Sequence, residues 1–176
     1  KFNKSLDRLI ISPNGLPESV YNNKFINSSI NTEKIKIGFI GQLFTKIKGI
    51  DLLLDAIKIF QSNEGDKLDF IIIGPSKTKS DQSVIDKKMN EIPFKNSIFF
   101  KGALYGDKKW KELSKFDVFI LPSRTEGMPI VALEAMAFAK PCLFTTGTNM
   151  TNFISNAEGG WGVEPDSQKI YEYLKI

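Results

Sequence analysis

Two carboxylates in an E-x7-E arrangement, Glu126 and Glu134, stand in the segment best suited to chemistry. The first falls in a turn after an apolar run, and the second falls about one turn inside a segment with helical spacing. We therefore expect them to hold different parts of one ligand rather than to face each other. Carboxylate oxygens accept hydrogen bonds from hydroxyl groups, so a ligand with hydroxyls several ångströms apart would suit them. A structural interpretation also stands, with Glu126 capping the following amides and Glu134 solvated.

The turn between these carboxylates favours an anion. Gly127 allows a tight turn, and Pro129 suits the first helical position, where its missing amide hydrogen is no loss. The backbone amides of Met128, Ile130 and Val131 should then lie at the helix start. Free amides and the helix dipole attract negative charge there, so this segment predicts an anion-binding helix end.

A second junction between an apolar run and a helical segment contains Gly41 and Lys48. Gly41 directly follows an apolar run and lets backbone come close to a ligand, and Lys48 stands just before the next helical segment. The segment matches neither the dinucleotide-binding fingerprint nor a P-loop. It predicts a phosphate site, although an ordinary loop with a solvated lysine would have the same pattern.

The elements that must position these residues alternate between short apolar runs and helical segments, which predicts an α/β fold. Predicted strands cover residues 35–40, 68–73, 97–100, 118–121, 142–145 and about 160–163. Predicted helices cover residues 49–61, about 81–91, 107–115, 130–139 and 166 onward, and residues 76–81 are predicted as a loop. We expect a doubly wound, Rossmann-like parallel sheet of about six strands with helices on both faces. Its ligand should lie beyond the carboxyl ends of the strands.

Composition narrows the function. The 176 residues are 41% hydrophobic and 25% charged, as in one soluble domain. Arginine occurs only at Arg8 and Arg124, which argues against nucleic-acid recognition, whereas a net charge of +4 fits a small anionic ligand. The single cysteine, Cys142, lies in an apolar segment, and we expect it to be a buried structural residue. Without histidine we expect no zinc site, and without a long apolar run we expect a cytoplasmic protein.

A set of short motifs in a fixed order resembles the carboxy-terminal domain of the group 1 (family 4) glycosyltransferases, which have the GT-B architecture. The motifs are Pro13-Asn14-Gly15, Gly41-Gln42-Leu43, Lys48-Gly49, Leu53-Leu54-Asp55-Ala56, Ile73-Gly74-Pro75, Phe100-Lys101-Gly102, Leu121-Pro122-Ser123 and the Glu126/Glu134 pair. The resemblance covers almost the whole chain. It implies one donor-binding domain over residues 1–176, and the start at Lys1 without a methionine suggests that an amino-terminal acceptor domain has been removed.

The resemblance also implies roles for individual residues. Lys48 would neutralise the donor diphosphate, Glu126 would bind hydroxyls of the transferred sugar, and Glu134 would hold the ribose. The remaining donor contacts would come from Gly41, Gln42, Gly127, Met128, Ile130 and backbone between Lys101 and Ala103. The catalytic residues would be Lys48 and Glu126.

One position departs from the family, which commonly has an arginine where this chain has Gln42. A neutral amide cannot supply a second charge to a diphosphate. Arg124, Lys46 or Lys77 would have to replace it, or diphosphate binding would be weaker.

The implied reaction transfers a glycosyl group from a nucleoside-diphosphate sugar to a hydroxyl acceptor with retention of configuration. It needs no cofactor or metal. The acceptor, a carbohydrate or a lipid-linked glycan, would bind the other domain, and the protein could associate with the inner face of the membrane. Two alternatives are a glycosidase that uses Glu126 and Glu134, and a catalytically inactive Rossmann-like nucleotide-binding or scaffold module, which Gln42 favours.

Overall fold

Six parallel strands form one sheet in the computed structural model, which describes residues 14–16, 18–21 and 34–175. The strands are β1 (Ile35–Ile40), β2 (Leu68–Ile73), β3 (Ile98–Phe100), β4 (Val118–Leu121), β5 (Cys142–Thr145) and β6 (Gly160–Val163). Their order is β3-β2-β1-β4-β5-β6, and each strand is parallel to its neighbours. The predicted α/β doubly wound fold is confirmed. Pro13 and Arg8 lie outside the described residues.

The strands were predictable because buried apolar side chains run through them. Phe39, Phe70, Phe119 and Phe144 are each almost fully buried, and they are among the largest side chains of the core. Five strands have the predicted bounds. The sixth, β3, begins one residue late, because Ser97 belongs to a short 3₁₀ turn.

Eight helices surround the sheet within the described residues. They are α1 (Glu18–Tyr21), α2 (Thr45–Lys48), α3 (Ile50–Glu64), α4 (Lys79–Glu91), α5 (Gly106–Leu113), α6 (Ile130–Ala137), α7 (Thr151–Asn156) and α8 (Ser167–Leu174). The sequence did not predict α1, α2 and α7, which have four to six residues each. Helix α3 packs against α4 and α8. No helix in this part of the chain is long and apolar enough to cross a membrane.

The start of α4 corrects the prediction of a loop over residues 76–81. The side chain of Thr78 accepts a hydrogen bond from the amide of Asp81, so Thr78 is the N-cap and the helix begins at Lys79. The Asp81 carboxylate in turn accepts hydrogen bonds from the hydroxyls of Thr78 and Thr45. These hydrogen bonds lower the pKa of Asp81, and the bond from the Thr78 hydroxyl has the largest effect.

Pro129 also differs from its prediction. Its backbone has φ −70° and ψ 118°, which is extended, and α6 begins one residue later at Ile130. Pro129 is therefore the N-cap of α6 rather than its first helical residue.

The strand order places a topological switch point at the centre of the sheet. Strands β1 and β4 are neighbours, but their continuations lead to opposite halves of the sheet. Such a switch point opens a crevice at the carboxyl ends of the two strands, which here are followed by Gly41 and Pro122. Gly49, between α2 and α3, packs against the residue that follows β4. Its φ is 65°, and a Cβ atom added at Gly49 would lie only 2.0 Å from the Pro122 carbonyl oxygen. Only glycine fits that approach.

Candidate functional site

The crevice brings Lys48 and Glu126 together. Lys48 is the last residue of α2, after β1, and Glu126 lies in the loop after β4. The Lys48 Nζ is 2.5 Å from Glu126 Oε1, and their side chains are 23% and 12% exposed. The Ser123 hydroxyl donates to the same oxygen at 2.9 Å. Lys48 is therefore not a solvated lysine, and Glu126 binds the lysine across the crevice.

Glu134 is held in a similar way by a lysine that the sequence did not single out. It lies in α6 and is only 7% exposed. Its Oε1 accepts a hydrogen bond of 2.7 Å from the Nζ of Lys109, which lies in α5. The interpretation of Glu134 as a solvated helix residue was wrong.

Two asparagines fix the loop that joins these carboxylates. The side-chain amide of Asn149 donates to the Glu126 carbonyl at 2.6 Å, and that of Asn14 donates to the Met128 carbonyl at 2.9 Å. Asn149 adopts a left-handed backbone, with φ 57°. Gly127 has neither a left-handed backbone nor a close neighbour, so its position would accept a side chain. The loop is held by side chains rather than by a glycine turn.

A cavity of about 300 Å³ opens beside the crevice. Its lining includes Gly41, Gln42, Ala103, Tyr105 and Lys109. Ile130, at the start of α6, is exposed but is not among the lining residues. A larger cavity of about 540 Å³, beside Met136 and Trp161, lies near the amino-terminal ends of β5 and β6.

Lys101 behaves differently from Ala103. Its amide donates to the Ile72 carbonyl at 2.9 Å, which continues the pairing of β3 with β2. Lys101 does not line the cavity beside Gln42, whereas Ala103, Leu104 and Tyr105 do. Of the segment predicted to contact a base, the end at Ala103 is the part that reaches the cavity.

Of the three cations that could replace a charge at Gln42, Arg124 is already paired. Its guanidinium donates to both carboxylate oxygens of Asp51, at 2.8 and 2.7 Å. It also donates to the Thr45 carbonyl. This bidentate bond to Asp51 raises the pKa of Arg124 and neutralises its charge locally. Arg124 therefore anchors the start of α3.

The two lysines on that side of the sheet also lack a contact with the carboxylates. Lys77 lies over the ring of Phe44, 4.5 Å from its centroid, and Lys46 is exposed on α2. Neither side chain lines the cavity beside Gln42. Lys109 is the basic side chain found in that lining.

Cys142 takes no part in this site. It is fully buried in β5, and burial raises the pKa of its thiol to about 12. The structural role predicted for it agrees with this burial. In the described part of the chain, no three His, Cys, Asp or Glu residues come together as metal ligands.

Fold and site together define a Rossmann-like domain with two lysine–carboxylate pairs at its central crevice. The family model for the glycosyl transferases group 1 matches residues 21–175. This match covers most of the chain, and the chain belongs to that family. The predicted resemblance to this family is confirmed. Membership of a transferase family argues against the alternative of a glycosidase that uses Glu126 and Glu134.

Curated relatives have related names. An uncharacterized glycosyltransferase of Methanocaldococcus jannaschii is 32% identical over 178 residues, which cover 96% of this chain and 44% of that protein. The capsular polysaccharide biosynthesis glycosyltransferase CapM of Staphylococcus aureus is 28% identical over 133 residues, or 73% of this chain and 32% of CapM. The chain spans less than half the length of these relatives.

Solved glycosyltransferases share the fold. WaaG, a glycosyltransferase involved in lipopolysaccharide biosynthesis, superposes with a TM-score of 0.76 at 18% identity, over 99% of this chain and 50% of WaaG. Anabaena HepE in complex with UDP and glucose gives a TM-score of 0.68 at 18% identity, over 81% of this chain and 38% of HepE. The chain thus has the Rossmann-like fold of one GT-B domain.

Proposed function

We propose that this chain forms the donor-binding half of a retaining glycosyltransferase that acts in polysaccharide or surface-glycan synthesis. It would bind a nucleoside-diphosphate sugar, and the enzyme would transfer the glycosyl group to a hydroxyl acceptor. The observation that carries this proposal is the presence of two lysine–carboxylate pairs, Lys48–Glu126 and Lys109–Glu134, in the segments that follow the carboxyl ends of β1, β3 and β4. Ligands of doubly wound folds bind beyond these ends.

In the proposed reaction, Lys48 and the amides at the start of α6 stabilise the leaving diphosphate. Negative charge grows on the diphosphate as the bond to the sugar breaks, so a cation there favours the transition state over the ground state. Lys48 can do this while it stays bonded to Glu126, because an ammonium group has three donors. Met128 and Ile130 would contribute backbone contacts from the loop and the helix start.

The carboxylates would hold hydroxyl groups. Glu126 receives Lys48 and Ser123 on one oxygen, Oε1, which leaves capacity on the carboxylate for hydroxyls of the transferred sugar. Glu134 is bonded through Oε1 to Lys109 and would use its other oxygen for the ribose. The base would then lie in the cavity beside Gly41, Gln42 and Ala103.

Support for the wider role comes from the relatives. CapM is named for capsular polysaccharide biosynthesis, WaaG for lipopolysaccharide biosynthesis, and HepE was crystallised with UDP and glucose. A carbohydrate or lipid-linked glycan acceptor would bind a second domain, in agreement with the greater length of the curated relatives. A lipid-linked acceptor would bring the enzyme to the cytoplasmic face of the membrane.

Calorimetric titration tests the donor site. UDP, GDP and their sugar conjugates would be titrated into the protein and into the Lys48→Ala and Glu134→Ala variants, with Lys87→Ala, which changes an exposed lysine of α4, as the control. Saturable binding to one base, lost in both variants and kept in the control, supports the proposal. A folded protein that binds none of these nucleotides would contradict it.

A second candidate is a nucleotide-binding module without transferase activity. Gln42 favours it, because this neutral side chain lines the cavity while Arg124 is committed to Asp51. Nucleotide affinity without sugar transfer, measured on the protein together with its acceptor domain, would support this candidate. Turnover with any nucleotide sugar would exclude it.

A further inference from the structure

Lys109 is a residue of the crevice that the sequence motifs do not include. It lies in the second half of the first turn of α5, after β3, and its Nζ is 2.7 Å from Glu134 Oε1. Both side chains are withdrawn from solvent, at 19% and 9% exposure. Lys109 also lines the cavity that contains Gln42, so this ion pair forms part of the cavity wall.

A carboxylate as buried as Glu134 needs a partner. A buried charge without one loses its hydration and is strongly unfavourable, and the hydrogen bond described for the Glu134 side chain comes from Lys109. Lys109 supplies that partner through Oε1 and leaves the other oxygen of Glu134 able to accept hydrogen bonds.

The lysine itself is held in place. Its Nζ lies 4.0 Å from the centroid of the Trp110 ring, in a cation–π contact. Trp110 stacks on Phe138, which is buried, with 5.7 Å between the ring centroids. Phe138 follows directly after α6, the helix that carries Glu134. The ammonium group and its carboxylate partner are thus fixed to one packed unit.

We infer that Lys109 is a positioning residue for the nucleotide: it holds one oxygen of Glu134 so that the other faces the ribose diol. This inference rests on the proposed donor site. Lys109 acts through Glu134 rather than by touching the phosphates. Its loss should therefore weaken binding only of ligands that carry the ribose hydroxyls.

A double-mutant cycle tests the coupling. Lys109→Met, Glu134→Gln and the double variant would be titrated with UDP and GDP, and with the 2′,3′-dideoxy forms of the diphosphate that binds. We expect Lys109→Met to lose at least about tenfold in affinity for the ribose form, a free-energy change of about 1.4 kcal/mol. The double variant should bind no worse than Glu134→Gln, and the dideoxy ligand should not distinguish Lys109→Met from the wild type.

Two further variants separate this role from a general effect on folding. Lys108→Met removes an exposed lysine from the same helix and should change nothing. Lys109→Arg keeps the charge and should retain most of the affinity. Thermal melting of each variant shows whether it is folded, and Lys109→Gln, which removes the charge but keeps a polar side chain, replaces Lys109→Met in the cycle if Lys109→Met does not fold.

The outcomes that overturn the inference are distinct. Unchanged affinity in Lys109→Met, additive losses in the double variant, or an equal loss for the dideoxy ligand would each contradict a role through Glu134. Failure of the wild type to bind any nucleotide would instead overturn the proposed function, and this inference with it.

Discussion

The two oxygens of the Glu126 carboxylate have different partners in the proposed complex. Oε1 is bound by Lys48 and Ser123, and hydroxyls of the transferred sugar would bind the remaining capacity. Glu126→Gln removes the charge that strengthens those bonds, so affinity for the nucleotide sugar should fall by about tenfold, since such bonds contribute about 1.5–3 kcal/mol. Affinity for the free diphosphate should change less. Calorimetry measures both.

The control for this variant is Glu158→Gln, which changes an exposed carboxylate in the loop before β6. It should leave both affinities unchanged. An equal loss for the sugar conjugate and the free diphosphate in Glu126→Gln would show that Glu126 acts through Lys48 and not on the sugar.

The Cys142 thiol gives a prediction away from the site. Burial raises its pKa to about 12, and the thiolate, which forms as pH rises through the pKa, is the reactive species. At pH 8 almost all of the thiol should therefore remain protonated, because the pH lies well below that pKa. Iodoacetamide should therefore label the folded protein very slowly and the urea-unfolded protein rapidly. Prompt labelling without urea would refute the buried position.

Among single residues, the sequence singled out the two carboxylates by their E-x7-E spacing and Lys48 by its position just before a helical segment. It did not predict Lys109, which pairs with Glu134 across 25 positions of the chain, or Asn149, which bonds to the Glu126 carbonyl. These contacts depend on tertiary packing. Asn149 does follow soon after β5, at the carboxyl edge of the sheet, and that position was an available signal.

Among the elements, the junction of α2 and α3 is the most constrained part of the crevice. Gly49 has φ 65°, and an added Cβ would stand 2.0 Å from the Pro122 carbonyl oxygen. Gly102 has nearly the same φ, 66°, but no neighbour within 4 Å of such a Cβ. Gly102→Ala should therefore cost about 1 kcal/mol of unfolding free energy from backbone conformation alone, and Gly49→Ala should cost more, about 3 kcal/mol.

Urea unfolding of both variants measures the difference in unfolding free energy, and this difference reports the steric clash because the two glycines have nearly the same φ. Equal losses of stability would mean that α2 can move away from the end of β4. In that case the crevice would be less rigid than its packing indicates.

The sequence predicted helices and strands well where the segment was long enough to show a pattern of apolar residues. Strands such as β1 and β2 contain continuous apolar runs that are buried as the sheet requires. Helices α2 and α7 have too few residues to show a helical period. The start of α4 was missed because its residues are polar, and its N-cap at Thr78 depends on a local hydrogen bond.

For the whole molecule, the alternation of strands and helices predicted a parallel sheet, and handed crossovers restrict how such a sheet can be wound. The order of the strands depends on which long-range pairs pack, and a single sequence does not show those pairs. That order places the loops after β1 and β4 side by side. The lysine of one loop then meets the carboxylate of the other, so the topology itself assembles the proposed donor site.

The most direct test of this account is a crystal structure of the protein with the nucleoside diphosphate that binds it best. We predict that the diphosphate lies within hydrogen-bond distance of Lys48 Nζ, next to the start of α6, and that the ribose hydroxyls contact Glu134. A nucleotide bound elsewhere, such as in the cavity beside Trp161, or one whose ribose does not contact Glu134, would contradict it.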